Sequence, residues 1–240
     1  MNLDMLRWRF RAWRYRLKLE RMEIRLLREH LSAGDTVIDI GGHKGAITWW
    51  MRQAVGRTGQ VDVFEPQPAL AGRLKALVEA SGFDNVHVEH GGVSSQPGTL
   101  TLRVPPGGPS PSASFEHLDL AEGGETFTVP VTTVDAWMAS RGHGPLRFAK
   151  IDVEGHELEV FRGAIRTLEN DRPFLLFECE LRHRSSGTLR DVFDFLEGLG
   201  YEGFAVSEEG LMPVSEFDPD RHQRSDCDAP YLNNFWFRPR

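Results

Sequence analysis

Val37-Ile38-Asp39-Ile40-Gly41-Gly42-His43-Lys44-Gly45 is the stretch on which the fold turns. Its first four residues continue a short β-branched run from Thr36, the pattern of a buried strand, after the turn residues Ser32-Ala33-Gly34-Asp35. Glycines 41, 42 and 45 follow at once, and glycine lets a chain turn tightly and lets a ligand approach its backbone. Residues 46–55 then read as a helix and residues 60–64 as a second strand ending at Glu65-Pro66. Residues 68–81 have helical spacing through Leu70, Leu74, Leu77 and Val78, and Val86-His87-Val88 is a third strand. Such alternation implies right-handed crossovers and a parallel sheet. The loop is not the dinucleotide fingerprint G-x-G-x-x-G, because His43 stands at the second glycine, and no Gly-Lys-Ser/Thr follows at phosphate-loop spacing.

Further along, Thr99 to Val104 alternates like an exposed-face strand, Pro105 to Pro111 is a Pro/Gly/Ser loop, and Phe127 to Val131 is extended again. This reads as a β/loop insertion, or a flap, within the α/β core. Strands are then expected at 148–153 and 173–177, helices at 157–169 and 189–199, and closing strands at 201–206 and 234–237. The boundary falls at Gly34, with residues 1–34 a basic amphipathic helix and 35–240 one α/β domain.

The 240 residues, 40% hydrophobic and 26% charged, suit such a domain and argue against wholesale disorder. Cys179 and Cys227 are too few for a disulfide framework or a four-Cys zinc site, so a reducing, cytoplasmic setting is expected. No apolar run is long enough to span a membrane, and the basic beginning lacks the apolar core of a secretory signal. Residues 1–31 hold nine Arg or Lys against four Asp or Glu; with the chain at −7, the remainder carries −12. An acidic body argues against a broad nucleic-acid grip. Leu3, Leu6, Phe10, Trp13, Leu17, Ile24, Leu27 and Leu31 recur on one helical face, interrupted by Glu20, with the arginines mostly off it. Packing on its own domain, a homodimer contact and a peripheral membrane contact with arginines on anionic lipid all accommodate that pattern.

In an open α/β sheet, ligands sit at the carboxyl ends of the strands. Glu65, 20 residues after Gly45, is placed to accept both hydroxyls of a ribose. Lys150-Ile151-Asp152-Val153-Glu154-Gly155-His156-Glu157 puts several ionisable groups at a later strand end, with Asp152 on the face opposite Ile151 and Val153. Asp152, Glu154 and His156 are the expected catalytic residues, and His183 is a reserve base. With Glu178, these acids and a histidine offer an oxygen-rich site for a divalent metal such as Mg. Cys179 reads as a buried small hydrophobe, and Glu157 either as a helix-start acid or as part of the site.

Together these motifs resemble the FkbM family of S-adenosylmethionine-dependent methyltransferases. The resemblance is carried by residues 37–45, by Val63-Phe64-Glu65-Pro66-Gln67-Pro68 and by residues 148–157. Val93 to Gly98, Val131 to Asp135 and Asn234-Phe235 extend it in order. It implies a class I, Rossmann-like fold: a seven-stranded, mainly parallel sheet with helices on both faces. It implies S-adenosyl-L-methionine bound by Asp39, Gly41, Gly42, Gly45, Glu65, Pro66, Gly92 and Val93, with the loop on the methionine part and Gly92-Val93 bordering the adenine. It further implies O-methylation of a sugar, glycan, glycolipid or natural-product hydroxyl. Two positions depart from the family: alanine-asparagine is common where Gly42-His43 stands, and alanine where Gly92 stands. A catalytically inactive cofactor-binding scaffold is the alternative; a nicotinamide oxidoreductase is disfavoured by the missing fingerprint.

The expected acceptor-side wall is Pro105 to Ser114 and onward to Glu125.

Overall fold

The computed structural model describes residues 3–116, 123–142, 144–183 and 187–240. Five parallel strands form its centre: β1 (Thr36–Ile40), β2 (Gln60–Glu65), β3 (Val86–His90), β7 (Leu146–Ile151) and β8 (Phe174–Glu178). Three more extend one edge by antiparallel pairing: β9 (Tyr201–Ser207), β10 (Gly210–Pro213) and β11 (Asn234–Pro239). The order is β10-β9-β11-β8-β7-β1-β2-β3, so the sheet has eight strands where seven were expected. The extra strand is β10, which Gly210 turns back against β9. Strand order reverses between β1 and β7, so the loops after these two strands face each other across the usual ligand crevice.

Strand alternation divides the core. Val37, Val61, Val63, Phe148 and Trp236 face α3 (Ala46–Val55) and α4 (Pro68–Ala80). Ile38, Ile40, Ile151, Phe177 and Phe235 face α6 (Glu157–Arg162), α7 (Ile165–Asn170) and α8 (Leu189–Gly198). The single helix expected at 157–169 is two helices. A Cβ on Gly163 would stand 2.1 Å from the Ser94 carbonyl oxygen, so the chain bends there to admit its neighbour.

The insertion is a second sheet of β4 (Gly92–Val93), β5 (Gly98–Val104) and β6 (Glu125–Thr132), with β6 central. Helix α5 (Val134–Arg141) follows, its first turn capped by Thr133 Oγ1 accepting the Ala136 amide at 3.0 Å. The last helical turn, α9 (Pro219–His222), precedes β11.

The basic segment is two helices, α1 (Leu3–Arg14) and α2 (Arg21–His30), joined by a wide π turn at Tyr15–Leu19. Both pack on the α3 side of the domain. In α1 the face that packs is not the apolar stripe. Trp8 and Ala12 are buried, whereas Leu3, Leu6, Phe10, Trp13 and Leu17 are exposed. Trp8 Nε1 donates to the Gly45 carbonyl at 2.7 Å, and Trp50 Nε1 donates to the Ala12 carbonyl at 2.8 Å. Two buried indoles spend their only donors on this contact, which sets the helix face that turns inward. Among the described residues no helix is long and apolar enough to cross a membrane.

Candidate active site

At the switch point, β1 carries Asp39 inward. Asp39 is 1% exposed, and its Oδ2 accepts from Thr48 Oγ1 at 2.6 Å, while Oδ1 has no protein partner. Burial raises its pKa; the Lys150 ammonium opposes that. The glycine loop follows. A Cβ on Gly41, at φ +85°, would lie 1.9 Å from the Asp152 carbonyl oxygen, so glycine here is what lets the β1 and β7 loops touch. His43 has φ +47°, the left-handed region that asparagine and histidine tolerate better than most residues. The departure at this position therefore keeps the backbone requirement. His43 Nε2 is buried without a partner, and burial holds the ring down at about 4, hence neutral.

Glu65 ends β2 beneath this loop. Its Oε2 accepts the His43 amide at 2.6 Å and its Oε1 the Gln67 amide at 2.8 Å. Burial, partly offset by these two donors, raises it to about 7. Each carboxylate oxygen keeps a lone pair beyond its backbone bond. The orphaned Asp39 Oδ1, the orphaned His43 Nε2 and the remaining Glu65 acceptors fit a polar nucleoside ligand such as S-adenosylmethionine.

Across the crevice, Lys150 stands next to the end of β7. Its Nζ donates to Asp152 Oδ2 at 2.7 Å. Burial works against the Lys150 charge, but Asp152, Asp39 and Glu20 outweigh it and raise its pKa. Glu154 sits at φ +51° and Gly155 at φ +99°. This turn is held by Glu157, whose Oε1 accepts the Gly155 amide at 2.8 Å. Glu154 pairs with His183 Nδ1 at 2.5 Å, which raises the histidine above its ordinary value. Burial pushes Glu178 up to about 10, and Asp152 adds to this. Burial also opposes the charge on Glu180, but Tyr231, Glu178, Asn233 and Arg182 hold that carboxylate at about 2. Asn233 Nδ2 bridges Glu178 and Glu180 at 2.9 Å each.

Several of these groups line one cavity of about 340 Å³. Gly41, His43, Glu65 and Pro66 form one side, and Asp152, Glu154, Glu178 and His183 the other. The insertion closes it with Pro111 to Ala113 and Phe115. That loop is tied down twice. Gln67 Nε2 donates to the Ser110 carbonyl and its Oε1 accepts the Ser110 amide, each at 2.9 Å; Ser114 Oγ donates to the Glu154 carbonyl at 2.5 Å. Of the segment expected to wall the acceptor side, Pro111 to Ala113 and Phe115 line the cavity, and residues 117–122 lie outside the described residues. Gly42 and Gly45 support the loop from behind, where added Cβ atoms would each stand 2.4 Å from Val63 and Leu74 respectively.

Six expected residues lie off the lining of this cavity: Asp39 and Gly42 line a small pocket that shares Gly41, His43 and Asp152 with it, Gly45 supports the loop, and His156, Gly92 and Val93 lie elsewhere. His156 is buried, with Nε2 against Ser94 Oγ at 2.9 Å and Nδ1 against Glu116 at 3.0 Å. Its ring ties the insertion to α6 and stands away from the cavity lining. Gly92 packs under Phe115, whose ring a Cβ there would meet at 2.6 Å, and Val93 belongs to the core behind it. The sequence reading missed Tyr15 and Glu20, which line the cavity from the π turn, and Arg182, which lines it beside His183. Burial, opposed by the Lys150 charge, pushes Glu20 up to about 8. The one signal for Glu20 was the polar break it makes in the apolar stripe.

Carboxylate oxygens of Asp152, Glu154 and Glu178 lie within 4.8 Å of one another, an all-oxygen set of the kind a hard divalent cation takes. Each already has a partner: the Lys150 ammonium on Asp152, His183 on Glu154, and the Asn233 amide on Glu178. An arriving cation would compete with all three.

A glycine loop after the first strand, a buried acid at the end of the second and a sheet reversing beside them define the class I methyltransferase architecture. The chain belongs to the methyltransferase FkbM domain family, whose profile matches residues 39–202. The hexuronic acid methyltransferase AglP of Haloferax volcanii is 29% identical over 160 residues, 66% of this chain and 62% of that protein. The chain thus spans less than two thirds of that relative's length. The crystal structure of methyltransferase FkbM from Methylobacillus flagellatus KT superposes with a TM-score of 0.55 at 15% identity, over 99% of this chain and 55% of that one. A SAM-dependent methyltransferase from Aquifex aeolicus gives 0.50 at 16% identity, over 99% and 98%. These two likenesses show the fold.

Proposed function

We propose that this chain transfers the methyl group of S-adenosylmethionine to a hydroxyl oxygen of a sugar, as a free saccharide, a glycan, a glycolipid or a glycosylated natural product. The observation that carries the reading is one cavity that joins the glycine loop and Glu65 to the Glu154–His183 pair. The hexuronic acid named for the AglP relative supports a sugar as the acceptor class.

The cofactor supplies an electrophilic methyl on a sulfonium, so the protein's task is alignment and proton removal. Asp39 and the loop to Gly45 take the methionine part, and Glu65 with Pro66 takes the ribose. Glu154 fixes His183 through Nδ1, leaving Nε2 to accept the hydroxyl proton as the O–CH₃ bond forms and the S–CH₃ bond breaks. S-adenosylhomocysteine and the protonated histidine are the immediate products. Asp152, held by Lys150, positions the acceptor. Lys150, His183 and Asn233 already hold the acids of the site, so proton removal falls to His183. Gly92 and Val93 act on the adenine side through Phe115.

The test is calorimetric titration of S-adenosylhomocysteine into wild type and Glu65→Ala, followed by methyl transfer to a panel of uronic acids and neutral sugars. Micromolar binding lost in the variant, with transfer to a member of the panel, is the expected result. Folded wild-type protein that binds no S-adenosylhomocysteine would overturn the reading.

A further inference from the structure

The N-terminal helix presents a surface that the methyl-transfer site does not use. With its Trp8 and Ala12 side buried, α1 turns its apolar stripe outward: Leu3, Leu6, Phe10 and Trp13 are 59%, 41%, 74% and 45% exposed, and Leu17 continues the row at 61%. At 100° per residue the first four fall within a sector of about 80°. Arg7 and Arg14 border that sector on one side, Arg9 and Arg16 on the other. Trp13 stands edge-on to Trp50 at 5.2 Å, and Arg16 lies over both rings at 5.1 and 4.8 Å, so the domain holds the stripe in place.

A contiguous apolar patch rimmed by polar groups marks an interaction surface. Charge selects the occupant. Nucleic acid would satisfy the arginines but leave Leu3, Phe10 and Leu17 in water. A second copy docked on the same face by a two-fold axis would bring the two arginine rims together. An anionic bilayer meets both features: acyl chains take the stripe, lipid phosphates take the rim, and Trp13 lies at headgroup depth. The rest of the chain carries −12, so its net charge is repelled by an anionic surface and the attraction falls to the basic helices. We propose that α1 is a membrane-docking face that seats the protein, as a peripheral guest, on an anionic lipid bilayer. This proposal does not depend on the methyl-transfer reading.

The experiment is co-sedimentation of the full chain with phosphatidylcholine vesicles, with and without phosphatidylglycerol, at low and high salt. Two variants accompany it, Phe10→Glu/Leu17→Glu and Arg7→Gln/Arg14→Gln. These side chains lie outside the core, and unchanged urea midpoints check that both variants fold. Wild type is expected to bind the anionic vesicles, release in salt, and ignore neutral ones. Each variant is expected to lose at least about tenfold in partitioning. Equal binding to both vesicle types, or to neither, would overturn the proposal. So would a concentration-dependent dimer of wild type that Phe10→Glu/Leu17→Glu abolishes, which would assign the face to a second copy.

Discussion

Replacing Trp8 tests whether the N-terminal helices are part of the catalytic domain. The side chain is 1% exposed, meets Trp49 edge-on at 5.0 Å, and donates from Nε1 to the carbonyl of Gly45 at 2.7 Å. Trp8→Ala therefore removes a buried indole and strands a carbonyl of the cofactor loop. Truncations of this kind cost about 3–5 kcal/mol. With a urea dependence of about 3 kcal/mol per molar, that moves the unfolding midpoint by roughly 1 M or more. Trp8→Phe keeps an aromatic ring and isolates the hydrogen bond, at about 0.5–1.5 kcal/mol plus a smaller packing loss. Because Gly45 ends the glycine loop, Trp8→Phe is also expected to weaken S-adenosylhomocysteine binding by up to about tenfold. The assays are urea unfolding followed by tryptophan fluorescence and calorimetric titration. A Trp8→Ala protein destabilised by less than about 1 kcal/mol, with unchanged ligand affinity, would show that α1 is an appendage and refute the packing argument.

Four further outcomes are expected. His183→Ala should lower kcat by about 10² or more while retaining S-adenosylhomocysteine affinity, and Glu154→Gln should shift the acid limb of kcat/KM to lower pH, because the anion that raises His183 is gone; an unmoved pH profile would remove Glu154 from that role. Folded Glu65 and Glu20 keep protons up to about 7 and about 8, against 4.5 when unfolded, so the folded state binds more protons and stability should fall as pH rises across that window. His43, held down at about 4, opposes this only up to its ordinary 6.5, so urea midpoints compared between about pH 7 and 8.5 give the clean reading; a flat or rising midpoint would contradict the assigned burial. Chelation with EDTA should leave methyl transfer within about twofold, since protein groups already match Asp152, Glu154 and Glu178; a loss restored by magnesium would transfer that cluster to a metal.

The parts legible in the sequence are those decided locally. Residues 36–40 and 46–55 are strand and helix as their periodicity dictates, and Glu65 lies where an acid ending the second strand belongs. What was hidden depends on contacts distant in the chain. Periodicity found the apolar stripe of α1 but not the side that packs, because Trp50 and Gly45 choose Trp8 and Ala12 instead. The break at Gly163 is imposed by Ser94. His156 sits inside a catalytic-looking string, yet its ring is claimed by Ser94 and Glu116, residues 62 and 40 positions away. Short β10 has neither length nor alternation to announce it.

The cavity draws its walls from beyond the span that matches the family. That span runs from residue 39 to residue 202 and holds the glycine loop, Glu65 and the Glu154–His183 pair. Tyr15 and Glu20 reach the same cavity from before it, and Asn233 clamps Glu178 from after it. The family span and the flanks that complete the cavity wall are distinct stretches of the chain. A chain trimmed to residues 39–202 would cut β1 and β9 and lose β10 and β11, so the family span is a signature in the sequence and not a unit that stands alone.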